Sequence, residues 1–233
     1  MSSLIILYAA GAVSLAGFMY FRTKKADPKS LLLKTLTSLI FIITAGMAFY
    51  LTNYSRPDFF ALIVIGLACG LIGDIVLDLK MMYKESDAIY TYSGFTAFFI
   101  GHIFYIYANC ILFEFNWLAV PIAAVVTALI VGGAPMLKLK FGKFLIPVVA
   151  YSLLLVFFTA NSLINAINAK IFTDAAWLTF AGAAAFLVSD LILSMTYFGG
   201  KNNGILIISN HAVYYAAQFA LATVPYLMVM KIF

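Results

Sequence analysis

Long apolar stretches separated by short polar breaks dominate this sequence and restrict what it can fold into. Dividing the chain at charged or Gly/Pro/Asn-rich breaks leaves eight stretches, each about as long as the 20 residues that a helix needs to cross a bilayer. With 65% hydrophobic and only 10% charged residues, the chain lacks the polar surface to cover a soluble core. We therefore predict an all-α polytopic membrane protein, an eight-transmembrane-helix bundle. The predicted spans lie at about 3–21, 32–52, 59–79, 92–113, 116–133, 144–167, 174–198 and 205–230.

The breaks between the spans are too short to fold separately, so residues 1–233 are expected to form a single integral membrane domain. The net charge of +5 does not indicate nucleic-acid binding, because the lysines lie at the ends of the apolar stretches. Two cysteines, Cys69 and Cys110, lie inside apolar segments and offer no disulfide framework. We expect membrane lipids as partners and infer no protein partner.

Basic residues are distributed unevenly between the span ends, and this asymmetry predicts the orientation. If the N-terminus faces outward, only Arg56, Lys170 and Lys231 lie on the outer side, and Trp117 and Trp177 fall at the outer ends of spans. Both termini are therefore expected outside. The short loops look bacterial, which predicts the cytoplasmic membrane. The eleven basic residues on the inner side are Arg22, Lys24, Lys25, Lys29, Lys34, Lys80, Lys84, Lys138, Lys140, Lys143 and Lys201.

Polar residues within the spans are predicted to meet in one layer, the cytoplasmic half of the bundle. At a rise of about 1.5 Å per residue, "CGLIGDIVLDLK" places Asp74 and Asp78 in the inner third of span 3, and Asp190 lies at a similar depth in span 7. Ionisable groups in a membrane are costly unless they face protein or water, so this convergence predicts a functional site. The other candidate residues in the layer are Lys34, His102, Tyr105, Tyr151, Ser189, His211, Tyr214, Tyr215 and Gln218.

These candidates also have structural explanations. Asp78 lies close enough to the interface to be solvated. A histidine such as His102 or His211 can simply bond to a neighbouring helix, and the tyrosines can be packing residues with satisfied hydroxyls. A short likeness between "GDIVLD" and "SDLILS", with His-x-x-Tyr in spans 4 and 8, indicates either a parallel repeat of spans 3–4 and 7–8 or a chance match.

The residue types in this layer favour acid–base chemistry. Two neighbouring buried carboxyl groups divide into one proton-bearing acid and one ionised base, a pair suited to hydrolyses that pass through an oxocarbenium ion. The sequence contains no Gly-rich phosphate loop, HExxH or Gly-x-Ser-x-Gly motif. We predict no cofactor, although two histidines and three aspartates leave a metal site open. A proton-coupled transporter of a lipid-like or small substrate is the main alternative, because it uses the same residues.

At these residues the sequence resembles the YhhN-like membrane proteins, a family that includes lysoplasmalogenases. The resembling stretches are "GLIGDIVL", "GFTAFFIGHIFYI", "AAAFLVSDLILSMTYF" and "AVYYAAQFALA", in the family's order and spacing; "KTLTSLI" has Thr35 where proline is usual. The resemblance implies an eight-helix fold and hydrolysis of the vinyl ether bond of a lysoplasmalogen. This lysophospholipid would enter from the bilayer and yield a fatty aldehyde and a glycerophospho-headgroup.

The resemblance also matches single residues, and the chemistry of the reaction suggests roles for them. Asp74 and Asp190 match the family's aspartates, and we expect one to be the acid and the other to stabilise the cation and activate water. Lys34 is expected to hold the substrate phosphate, whereas Asp78 and His211 match no family position. The residues that match other polar positions of the family are His102, Tyr105, Tyr214 and Gln218, and the first two would orient water or tune the acid.

Overall fold

A computed structural model describes residues 2–24, 27–201 and 203–228 of the chain. This described part is helical without strands, and eight of its helices are long and apolar enough to cross a membrane. The predicted all-α bundle of eight helices is thus confirmed. The helices are α1 (Ser2–Lys24), α2 (Pro28–Leu51), α3 (Pro57–Met82), α4 (Asp87–Leu112), α5 (Ala119–Gly133), α6 (Leu145–Asn168), α7 (Thr173–Tyr197) and α8 (Gly204–Leu227).

Short connections make the helices alternate in direction, so that α2, α4, α6 and α8 all begin at the same end of the bundle. We call this the basic end, because Arg22, Lys80 and Lys143 lie there. The connection between α5 and α6 contains two short 3₁₀ turns. Its Lys140 N–H donates a hydrogen bond of 2.9 Å to the carbonyl of Phe198, which ties this connection to the end of α7.

The helices are not equally central in the bundle. Neighbours along the chain pair as closely packed hairpins, α1 with α2, α3 with α4, and α7 with α8. Helix α8 also packs against α1, α2 and α3, so it lies at the centre. Helix α5 packs mainly against α6 and therefore lies at the periphery.

The start of α2 is set by a capping box. Asp27 Oδ1 accepts a hydrogen bond of 2.8 Å from the Ser30 N–H, while Ser30 Oγ accepts one of 3.2 Å from the Asp27 N–H. Pro28 follows as the first helical residue, where its missing N–H costs nothing. These interactions fix the register of α2 and hence the depth of Lys34, six residues further on.

Burial in this bundle does not follow hydrophobicity. The side chains of Val13, Leu129 and Ile146 are 74%, 69% and 81% exposed, because lipid accepts apolar side chains as readily as the protein interior does. Lys34 and Gln218, by contrast, are only 4% and 0% exposed. The faces that point inward are therefore marked by polar residues.

A cluster of asparagines holds the end of the bundle opposite the basic end. The Asn109 side-chain oxygen accepts hydrogen bonds from Asn161 Nδ2 and Asn165 Nδ2, at 2.7 and 2.9 Å. Asn116, in the connection before α5, bonds to both Asn161 and Asn165. The cluster joins α4, α6 and this connection, which is the expected use of amides between membrane helices.

Candidate active site

A cavity of about 80 Å³ with charged side chains in its lining opens between α1, α2, α3, α4, α7 and α8 near the basic end. We call it the charged chamber, because it collects three carboxyl groups and two basic side chains from four helices. Several candidates that the sequence placed in one layer therefore share one cavity. The polar residues of its lining are Arg22, Lys34, Asp74, Asp78, Ser189, Asp190, Thr196, Tyr197, Asn210, His211 and Tyr214.

Asp74 is 3% exposed and is surrounded by donors. Its Oδ2 accepts hydrogen bonds from the Ser38 hydroxyl, at 2.7 Å, and from the Tyr214 hydroxyl, at 2.8 Å. Its Oδ1 lies 3.4 Å from Lys34 Nζ. A buried carboxylate needs such a countercharge and such donors, so this position can hold a negative charge.

Asp78 also lies inside the bundle, with a side chain only 4% exposed. It accepts a hydrogen bond of 3.0 Å from Lys34 Nζ, and Arg22 Nη2 lies 3.9 Å from the same oxygen. The water-exposed interfacial position considered for Asp78 is therefore not what the structure shows, because two cations draw the carboxylate inward. Lys34 lies between Asp74 and Asp78 and compensates both.

A chain of hydrogen bonds connects Asp74 with the middle of the bundle. The Tyr105 hydroxyl donates to Gln218 Oε1 at 2.8 Å, and Gln218 Nε2 donates to the Tyr214 oxygen at 3.0 Å. Tyr214 in turn donates to Asp74. Gly70 permits this arrangement, because a Cβ atom there would collide with Gln218 Nε2. The predicted candidates Tyr105 and Gln218 thus lie outside the chamber and support Asp74 from behind.

Other candidates hold the helices around the chamber. The Tyr215 hydroxyl donates a hydrogen bond of 3.1 Å to the Lys34 carbonyl, which joins α8 to the start of α2. Asn210 Nδ2 donates to the Ser189 carbonyl at 2.7 Å and to Ser189 Oγ at 3.0 Å, which joins α8 to α7. His211 Nδ1 donates to the Ile207 carbonyl at 2.7 Å, so in the neutral ring Nε2 is the acceptor.

Asp190 has a different environment from the other two aspartates. Its Oδ2 accepts a hydrogen bond of 2.6 Å from the Tyr151 hydroxyl. No ion pair to Asp190 occurs within the described part of the chain. The candidate pair Tyr151 and Asp190 therefore forms a second polar group, without a countercharge of its own.

Asp190 also borders a larger cavity of about 340 Å³ between α4, α5, α6 and α7. We call it the apolar cavity, because Leu, Ile, Val and Phe side chains form most of its wall. Tyr151 lines it as well. The residues that line both cavities are Phe98, Asp190, Leu193 and Tyr197. Asp190 is the only carboxyl group in this shared set among the described residues, so it lies where the two cavities meet.

His102 lies at the predicted depth but outside both cavities. It is completely buried, and its Nδ1 donates a hydrogen bond of 2.8 Å to the Phe98 carbonyl. Its ring meets the Tyr151 and Phe186 rings edge-on, with centroids 5.5 and 4.4 Å away. Its Nε2 has no hydrogen-bond partner among the described residues. His102 therefore contacts the site from outside, through its hydrogen bond to Phe98 and its packing against Tyr105 and Tyr151.

Sequence reasoning missed four polar residues of the chamber lining and one residue beside it. The lining residues are Arg22, Thr196, Tyr197 and Asn210, and the residue beside it is Ser38. Ser38 donates directly to Asp74, and a signal for it existed, because it lies one helical turn after Lys34 on the same face of α2. Arg22 lines the chamber, whereas the sequence identifies it only as one of the basic residues on the predicted inner side. Nothing in the sequence distinguishes it from Lys24, which is exposed.

Within the described residues, no group of three or more His, Cys, Asp and Glu side chains is arranged to hold a metal ion. The bundle and its two cavities define a polytopic helical membrane protein with an ion-paired carboxylate site in one half of the membrane domain. The sequence model of the YhhN family matches residues 29–224. The chain therefore belongs to the YhhN family, as the motifs indicated. Comparisons with curated proteins and with solved structures found no match.

Proposed function

We propose that this protein is an intramembrane hydrolase that cleaves the vinyl ether bond of a lysoplasmalogen or a related lysolipid. The observation that carries the proposal is the position of Asp190 between an apolar cavity and a charged chamber. A lysoplasmalogen also has an apolar and a polar part, an alkenyl chain and a headgroup, and its scissile bond lies between them. Membership of the YhhN family, together with its resemblance to lysoplasmalogenases, supports the choice of this bond.

The two cavities suggest how the substrate binds. The alkenyl chain occupies the apolar cavity, which offers the hydrophobic lining typical of lipid sites. The headgroup occupies the charged chamber. Because α5 packs mainly against α6, the side of the apolar cavity between α5 and α7 is where a lipid enters from the bilayer.

Asp190 is the proposed general acid. A carboxyl group without a countercharge in an apolar wall is held in its protonated form, and Tyr151 orients it by donating to Oδ2. Asp190 gives its proton to the vinyl ether carbon that does not carry oxygen, and an oxocarbenium ion forms. Water adds to the cation, and the resulting hemiacetal separates into the aldehyde and the free hydroxyl of the headgroup.

Asp74 is the proposed base. Lys34, Ser38 and Tyr214 compensate its negative charge, so it can stabilise the oxocarbenium ion and accept a proton from the attacking water. Gln218, which is itself hydrogen-bonded to Tyr105, keeps Tyr214 in position. His102 acts indirectly, because its ring packs against the Tyr151 ring and holds it in place.

We propose that the basic end faces the cytosol, with both termini outside and the site in the cytoplasmic half of a bacterial cytoplasmic membrane. The excess of Lys and Arg at the basic end supports this orientation; Lys25 and Lys231, which belong to the same argument, lie outside the described residues. A parallel repeat is supported by the closely packed hairpins α3–α4 and α7–α8, each of which brings an aspartate to the chamber. The proposed reaction needs no metal, nucleic acid or protein partner.

The test is aldehyde release from a lysoplasmalogen by the purified protein in detergent. Asp190→Asn should lower turnover by about 10²-fold or more, the usual contribution of a general acid. Asp58→Asn is the matched control, because Asp58 lies on α3 but is exposed and pairs with Arg56 away from the chamber. Near-normal hydrolysis by Asp190→Asn would refute its role. Loss of aldehyde release on addition of a chelator would refute the metal-free reaction. Absence of aldehyde release by folded wild-type protein would refute the proposed function.

A proton-coupled carrier is the second candidate. The buried Asp74 at the end of the hydrogen-bonded chain from Tyr105 through Gln218 and Tyr214 favours it, because buried carboxyl groups take part in proton relays of membrane transporters. A carrier moves its lipid unchanged across sealed vesicles when a proton gradient is applied. Product formation in detergent, where no gradient exists, separates the enzyme from the carrier.

A further inference from the structure

Arg22 at the end of α1 is a buried cation with unused donors. Its side chain is 9% exposed and lines the charged chamber. Its Nη1 is buried and has no hydrogen-bond partner in the described part of the chain. Its Nη2 lies 3.9 Å from Asp78 Oδ1, which is an ion-pair contact beyond hydrogen-bond distance. A buried guanidinium with unpaired N–H donors is energetically costly unless another group accepts hydrogen bonds from them.

Lys34, the other cation of the chamber, is already ion-paired with two carboxylates. Lys34 Nζ lies 3.0 Å from Asp78 and 3.4 Å from Asp74, so its charge compensates two carboxylates. It was expected to hold the substrate phosphate, but an anion there would compete with both aspartates. Arg22 has its free donor on Nη1, whereas Asp78 faces Nη2. The guanidinium can therefore accept an anion without giving up its contact with Asp78.

We propose that Arg22 is the phosphate-binding residue of the charged chamber and makes the protein selective for lysolipids that carry a phosphate. The proposal rests on the proposed function and deepens it, because it names the group that recognises the headgroup. Arg is suited to this role, since its planar donors match phosphate oxygens and form charge-assisted hydrogen bonds. Arg22 lies before the residues 29–224 that match the family model, so the assignment comes from the geometry of α1.

The expected effect of losing Arg22 is confined to phosphate-bearing ligands. A charge-assisted hydrogen bond contributes about tenfold to hundredfold in affinity. Arg22→Gln should therefore raise KM for a lysoplasmalogen by this factor and change kcat little, because the guanidinium does not contact the reacting atoms. The same variant should hydrolyse a 1-alkenylglycerol, which has the vinyl ether but no phosphate, as well as the wild type does.

The experiment compares these two substrates with the wild type, Arg22→Gln, Arg22→Lys and Lys24→Gln. Lys24 is the matched control, because it lies two residues further on in α1 and is exposed. Arg22→Lys keeps the charge without the planar donors and should lose part of the phosphate selectivity. A loss restricted to the phosphate-bearing lipid supports the proposal. An equal loss for both lipids, or no loss, overturns it, and the midpoint of thermal unfolding checks that each variant is folded.

A binding measurement separates this proposal from the hydrolase assignment. Saturated 1-alkyl analogues lack the double bond and cannot be hydrolysed, so displacement of a radiolabelled 1-alkyl-glycerophosphoethanolamine from purified protein reports binding alone. The phosphate-bearing analogue should bind better than 1-alkylglycerol to the wild type, and Arg22→Gln should abolish the difference even if no vinyl ether is hydrolysed. Competition by inorganic phosphate, with no difference between the two lipids, would assign Arg22 to free phosphate and overturn the proposal.

Discussion

Removal of the Lys34 charge tests whether the charged chamber is held together by its ion pairs. Lys34 Nζ lies 3.0 Å from Asp78 Oδ1 and 3.4 Å from Asp74 Oδ1. At an effective dielectric constant of about 20, each contact has a Coulomb energy of about 5 kcal/mol. Desolvation offsets much of this energy, and breaking a buried pair by removing one partner costs about 3–5 kcal/mol. Lys34→Met should therefore destabilise the protein by about that amount.

Thermal unfolding in detergent measures this loss. For a chain of this length about 1 kcal/mol corresponds to 2–4 °C, so Lys34→Met should lower Tm by about 6–20 °C. The double variant Lys34→Met/Asp78→Asn also removes one of the two carboxylates that lose the Lys34 charge. The stability lost in the double variant should therefore be smaller than the sum of the two single losses, by about 1 kcal/mol or more.

Lys29→Met is the matched control, because Lys29 also lies on α2 near the basic end but is exposed. Its Tm should change little, since surface substitutions usually stay within about 0.5 kcal/mol. A Lys34→Met protein as stable as Lys29→Met would refute the ion-pair account of the chamber. Strictly additive effects of Lys34→Met and Asp78→Asn would refute the coupling between these two side chains.

Two further substitutions test the support of Asp74 and the apolar cavity. Gly70→Ala places a methyl group against Gln218 Nε2 and should lower aldehyde release. Gly46→Ala is its control and should not lower release, because nothing lies within 4 Å of the new atom. Equal effects of the two substitutions would contradict the packing argument. Val148→Trp should fill part of the apolar cavity and lower kcat/KM for long-chain lysolipids by about 15-fold if two methylenes lose their site. Val125→Trp, at a position that is 60% exposed, is its control, and a loss that does not depend on chain length would contradict the assignment of the cavity.

The sequence was sufficient to predict the eight helices and to group the aspartates of the chamber. In a bilayer the length of an apolar stretch decides whether it spans, because unpaired backbone groups are too costly in hydrocarbon. The constant rise of a helix then gives the depth of each polar residue. For this reason the sequence predicts Asp74, Asp78 and Asp190 in one layer, and they line one chamber in the structure.

The sequence could not predict which way the helices are rotated. Apolar residues occupy both lipid-facing and interior faces here, so hydrophobic periodicity does not distinguish them. Polar residues mark an inward face, but they do not say which neighbouring helix or cavity that face meets. His102 and Asp190 were placed in the same layer, yet His102 is enclosed by aromatic rings and Asp190 borders both cavities. Arg22 and Lys24 are near neighbours in sequence, but only Arg22 lines the chamber.

The sequence by itself thus determined that this chain forms eight helices apolar enough to span a membrane, and it grouped Asp74, Asp78 and Asp190 in one part of the bundle. Only the tertiary structure decided that Lys34 lies between two carboxylates, that Asp190 stands apart from the cations, and that an apolar and a charged cavity meet beside it. The physical reason is that rise along a helix is a local property of the backbone. Rotation about the helix axis is decided by the neighbouring helices, whose side chains come from distant parts of the sequence.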